Sequence, residues 1–214
     1  VLDDYSPLRE IAAGVLDGES QVLPVRDAWW YIPSVPSQAR GRPTRGSTAY
    51  VAPNPPFGAT FTYFLTNVPV TARESRRATE RGQREVGEDV PFPGYEALGL
   101  EAAENDPMVL LVVRDAHGEA VRWVRGPAKP GMHRVAWDLR RPAPDPIELS
   151  PSGFTPPWAS PPQGPLAPPG SYSVDLLMIS ANGAQWLGSA QPFEVRVVPT
   201  VAPGTDLAAV VEFQ

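Results

Sequence analysis

His117 and His133 are the only two histidines in 214 residues, and there is no cysteine to join them. A zinc site here would need both imidazoles and carboxylates brought from distant segments. His117 stands in a turn-like stretch and His133 on a strand-like one, so both read as structural or solvent-facing groups. Asp3-Asp4 offers paired oxygens of the kind calcium takes, but beside Ser6-Pro7 the pair reads better as a turn and cap. A glycosidase needs two carboxylates about 5–10 Å apart across a cleft. With 24 acidic residues some such pair is inevitable, so their number alone points nowhere. Asp138 sits in Trp-Asp-Leu-Arg near Arg134 and Arg140, which suits an ion pair better than a catalytic acid. No glycine-rich phosphate loop and no Gly-x-Ser-x-Gly elbow occurs. The residues therefore assign no catalytic group, no metal ligand and no cofactor.

Recognition chemistry has better material. Trp29, Trp30 and Tyr31 form the densest aromatic cluster, and Phe154 with Trp158 form a second. Flat aromatic faces can stack on a sugar. They can equally cover a joint between an N-terminal arm and the body of the fold, since aromatics carry large apolar area. The second reading is favoured. Val1-Leu2 reads as the end of a strand whose partners lie elsewhere, and an unpaired strand edge invites pairing. Leu8, Ile11, Val15 and Leu16 have helical spacing in a segment too short to be stable alone. Residues 1–33 thus read as an arm that docks on a partner.

Residues 108–139 organise the rest. The first run, Met-Val-Leu-Leu-Val-Val, is continuously apolar, as in a strand covered on both faces. Asp115-Ala116-His117-Gly118 follows as a turn. Val121 and Trp123 then share one face with Arg122 on the other. After a Pro/Gly turn, His133, Val135, Trp137 and Leu139 alternate with Arg134, Ala136 and Asp138. The three runs read as an antiparallel meander. Before them, Ala59, Phe61, Tyr63 and Leu65 alternate in a further strand. After them come a strand with Tyr172, Val174, Leu176 and Met178 on one face, an Asn182-Gly183 hairpin signal, and a strand with Phe193, Val195 and Val197. Residues 72–88 alternate charges at helical spacing, for example Glu80 with Arg84 and Arg81 with Glu85. Acids nearly balance the arginines, so this is a solvated helix rather than an anion site.

These elements predict an all-β fold: an immunoglobulin- or fibronectin-like β-sandwich over 47–200. A charged helical insertion occupies about 72–105, an N-terminal arm and linker occupy 1–46, and a tail covers 201–214. Residues 141–170 hold 11 prolines and read as a long irregular crossover. The net charge of −6 supplies no positive field for nucleic acid, and no apolar run reaches membrane-spanning length. Absence of cysteine leaves the compartment open. The chain begins at Val1 without a signal peptide, so an upstream part is expected.

The stretches VLDDYSPLRE, NPPFGATFTYFL, DAHGEAVRWVRGPAKPGMHRVAWDLR and LAPPGSYSVDLLM, in this order around the charged insertion, resemble one family. It is the C-terminal region of bacterial sortilin-like proteins with Asp-box (BNR-type) repeats, often labelled glycosyl-hydrolase-like. The resemblance covers nearly the whole chain, and NPPFGA and VAWDLR are its most specific parts. It implies that an upstream β-propeller ends at 1–4 and that an Ig-like domain follows. It also implies export to the bacterial periplasm, cell surface or medium. No Asp-box repeat (Ser-x-Asp-x-Gly-x-x-Trp) occurs here, so no propeller site carries over. The function expected is a non-catalytic module for packing, assembly or protein interaction. Its partner would be the propeller, of the same protein or a separate chain, or a second copy. A carbohydrate-binding accessory domain is the alternative, with a glycan as partner.

Overall fold

The structure is a computed structural model that describes residue 7 and residues 18–32, 55–144 and 162–199. Expectations for Val1, Leu2, Asp3, Asp4, Phe154, Trp158, the linker 34–47 and the tail 201–214 lie outside the described residues.

The described chain is mostly β, with two sheets and two helices, and one sheet curls into a half-barrel. The strands are β1 (Gln21–Val22), β2 (Ala28–Trp30), β3 (Ala59–Leu65), β4 (Met108–Asp115), β5 (Ala120–Gly126), β6 (Gly131–Trp137), β7 (Gly170–Ser180) and β8 (Gly183–Val197). The helices between β3 and β4 are α1 (Ala72–Glu85) and α2 (Tyr95–Ala103). One sheet has the order β1-β3-β6 and the other β2-β8-β7-β4-β5. All neighbours are antiparallel except β2 and β8, which run parallel.

The alternation read from the sequence decides the core. Ala59, Phe61, Tyr63 and Leu65 of β3 meet Val109, Leu111 and Val113 of β4, with Tyr172, Val174, Leu176 and Met178 of β7. Aromatic rings lock the two sheets together. Phe61 meets Phe193 edge-on at 5.5 Å, and Trp137 meets Tyr172 at 5.6 Å. The predicted turns also form. Asp115 Oδ1 accepts the main-chain N–H of His117 and of Glu119, and Gly118 takes φ +84°. Gly183 takes φ +102° at the β7–β8 hairpin.

Three expectations change. The runs in 108–139 are not one meander: β4 and β5 form a hairpin, but β6 crosses to the other sheet and pairs with β3. The linking Pro127-Ala128-Lys129-Pro130 has a proline at each end, and proline cannot donate the main-chain bond of a tight hairpin. Instead the Pro127 carbonyl accepts from Tyr63 Oη at 2.7 Å, tying the crossover to β3. Second, Val121 and Trp123 do not share a face. A bulge opposite Val113 and Arg114 leaves Val121 as an extra residue. Val121 is buried in the core while Trp123 points outward. Third, the β region begins before residue 47, because β1 and β2 each join a different sheet. Strands of two and three residues are below the reach of periodicity, and Pro24 between them hides the pair.

The charged insertion is helical, as its spacing predicts. Thr71 and Glu74 form a capping box at the start of α1, and no residue of α1 is buried. The two helices are clipped by charge: Arg76 donates to Glu101 at 2.6 and 2.9 Å and also pairs with Glu80. Polarity on α2 is inverted. Glu101 is its buried residue, whereas Tyr95 and Leu100 are exposed. No described helix is long and apolar enough to cross a membrane.

Candidate interaction site

The strand β2 places its aromatic residues by simple alternation. Ala28 and Trp30 pair with Val195 and Val197 on the parallel β8 and turn inward, so Trp29, opposite Arg196, turns outward. The sequence cluster is thereby split. Trp30 packs against the core and donates Nε1–H to the Ala167 carbonyl at 3.0 Å. Trp29 is 45% exposed and Tyr31 44%. Trp30 is an internal anchor, and its two neighbours are left on the surface.

Tyr31 meets Phe57 edge-on at 4.9 Å. Phe57 comes from the Pro55-Pro56-Phe57-Gly58 corner ahead of β3, inside the NPPFGA stretch. Together Trp29, Tyr31 and Phe57 line an open cavity of about 300 Å³ with Arg26, Asp27 and Arg134. Asp27 is held in place. One carboxylate oxygen accepts the main-chain N–H of Glu194 at 3.1 Å, and the other pairs with Arg196 at 2.9 Å. Arg196 also pairs with Glu194 at 2.9 Å. The result is a cavity lined by aromatic rings and charges of both signs, beside a proline-containing corner. That arrangement suits docking of a surface.

The other chemical candidates take structural places. Exposed His117 is part of the β4–β5 turn. His133 contacts the Lys129 carbonyl at 2.6 Å and packs beside Tyr63 at 5.3 Å. Asp138 accepts the Arg140 main-chain N–H at 3.1 Å, a turn role. Trp137 Nε1–H donates to the Arg140 carbonyl at 2.9 Å across the same turn. Leu139 within it holds φ +55°, and its side chain is fully buried. That left-handed conformation costs a non-glycine residue about 1–2 kcal/mol, which burial and the bond from Ala167 N to the Leu139 carbonyl offset. Among the described residues no three His, Asp or Glu side chains gather as a metal set.

Two exposed tryptophans were not read from the sequence as surface aromatics. The bulge separates the face of Trp123 from that of Val121, and Trp186 follows a hairpin signal in a polar stretch. No family model, curated protein or solved structure matches the chain.

Proposed function

We propose that this chain is a non-catalytic module of immunoglobulin- or fibronectin-like sandwich type that closes a propeller-containing, exported bacterial protein. In this reading it serves packing and assembly, and the Trp29–Tyr31–Phe57 surface docks on the neighbouring propeller. The strand orders β1-β3-β6 and β2-β8-β7-β4-β5, with β2 parallel to β8, support the sandwich class. The sequence resemblance in NPPFGA and VAWDLR supports the propeller partner and the exported location.

One observation carries the docking role. Two large aromatics, Trp29 and Tyr31, stand nearly half exposed on either side of Trp30, the last residue of β2, which is pinned into the fold. Exposed aromatics on a rigid element are the usual anchors of a protein interface, because they lose little conformational freedom on burial. The test is calorimetric titration of the 214-residue chain with the separately expressed upstream polypeptide. Trp29→Ala with Tyr31→Ala is expected to weaken binding at least tenfold, that is by about 1.4 kcal/mol or more. No complex, or a complex indifferent to the double substitution, would contradict the reading.

A further inference from the structure

The outer face of the five-stranded sheet carries a second aromatic surface, remote in register from the Trp29 strand. On β4 and β7, Leu110, Val112 and Leu177 form a cluster separate from the main core, on the opposite side of the sheet. They are nevertheless buried, Val112 to 1% exposure. Met108 and Ile179 pack against them, and two tryptophans flank them in register. Trp123 of β5 stands opposite Val112, and Trp186 of β8 stands opposite Leu177. Trp186 also reaches diagonally across the sheet. Its ring centre lies 5.4 Å from the Arg114 guanidinium, although Leu110 is the β4 residue in its own row. Arg114 is fixed in turn by Asp175 at 3.0 Å and by the Gly118 carbonyl at 3.0 Å. Trp123 is left 61% exposed and Trp186 52%.

We propose that this strip of indole, guanidinium and carboxylate binds an extended polysaccharide chain. A pyranose ring offers a face of C–H groups to the electron-rich face of an indole. Its hydroxyls both donate and accept, so they can use the free oxygen sites of Asp175 and the remaining N–H groups of Arg114. Both polar side chains are still partly open to solvent. The strip crosses the sheet from β5 to β8, three strand spacings or about 14 Å. That span calls for several linked sugars and not a monosaccharide. A pre-ordered sheet face fits a chain better than a pocket would.

A protein occupant fits this face less well. Its aliphatic residues are already covered, so the two indoles supply nearly all of the remaining apolar area, a few hundred Å² at most. A specific protein interface buries about 800 Å² per partner. A protein would also strip water from the Arg114–Asp175 pair without replacing its hydrogen bonds, whereas sugar hydroxyls replace them.

The test is affinity electrophoresis of the whole chain through gels containing hydroxyethylcellulose, xylan or alginate. Retardation by at least one of these is expected. The neutral and acidic gels show whether exposed Arg125, opposite Leu110 on the same face, adds a preference for uronic acids. Trp123→Ala and Trp186→Ala should each weaken the retardation about three- to tenfold. Trp123→Phe should keep most of it, and Tyr95→Ala, on α2, should keep all of it. Unaltered far-UV circular dichroism and melting temperature show that the variants remain folded. Absence of retardation in all three gels, or retardation that survives the double alanine variant, overturns the proposal. So does self-association that the same two substitutions abolish.

Discussion

Gly58 and Trp137 are in main-chain contact. A β-carbon on Gly58 would overlap the Trp137 carbonyl oxygen, and Gly58 itself holds φ +104°. Only glycine meets both demands. The next residue, Ala59, pairs with Trp137 in the β3–β6 register, so the contact fixes how these two strands meet. Gly58→Ala adds a conformational penalty of about 1–2 kcal/mol to an overlap costing about 1–3 kcal/mol. Gly118→Ala faces open space at φ +84° and meets only the first cost. Urea unfolding should show the larger loss for Gly58→Ala, and equal losses would contradict the contact.

Adjacent tryptophans should behave oppositely. Trp30 is packed on the core with its indole N–H satisfied, so Trp30→Ala is expected to cost about 3 kcal/mol. Trp29 is on the surface, and Trp29→Ala should stay within about 1 kcal/mol of the parent. Denaturant midpoints check this directly. A large loss for Trp29→Ala would make it a structural residue and not a docking one.

The helical pair should loosen in acid. The hydrogen bond from Arg76 holds the Glu101 carboxyl below the ordinary carboxylate range, opposed by partial burial. A carboxyl depressed in the folded state contributes stability that is present above its unfolded value, about 4.3. That contribution is lost as pH falls through the lower folded value. Amide protection factors in α1 and α2 should therefore fall below about pH 4 while those in β4 and β7 persist. Glu101→Gln should flatten this dependence. Replacing 72–105 by a short flexible linker should cost the sheets little, because no residue of α1 is buried. An unfolded sheet core in that variant would contradict it.

Tyr172 contributes to the alkaline limit, beside Tyr63, whose phenol burial raises further. Burial pushes its phenol up to about 12, and the hydroxyl donates to the Pro168 carbonyl at 2.6 Å. A raised value favours the neutral form in the fold. Its contribution is complete below the unfolded value near 10 and is lost as pH rises towards 12. Tyr172→Phe should cost about 0.5–1.5 kcal/mol at neutral pH and reduce the slope of alkaline unfolding. An unchanged slope would contradict this role.

Much of the β framework was legible because alternation and turn chemistry are local signals. The inward rows of β3, β7 and β8 and the turns at Gly118 and Gly183 follow from residue type alone. The charged insertion followed from its i, i+4 spacing, although the inversion on α2, with Glu101 buried and Leu100 exposed, did not. What was hidden depends on partners far away in the chain. The two- and three-residue strands β1 and β2 exist only because β3 and β8 receive them. The bulge that turns Trp123 outward is a property of two strands, not of one. The aromatic triplet was visible as a cluster, but its division into the anchor Trp30 and the exposed Trp29 and Tyr31 required β2 to be paired. Phe57 joins them across the fold, through a contact with Tyr31 that spans 26 residues of sequence.

The proposed docking role of the Trp29 surface is tested most directly by hydrogen–deuterium exchange on the chain with and without the proposed propeller partner. The account predicts slower exchange at residues 28–32 and 57–60 in the complex, with no change in β4 and β5. Protection absent from the Trp29–Tyr31–Phe57 surface, or confined to another face, would contradict it.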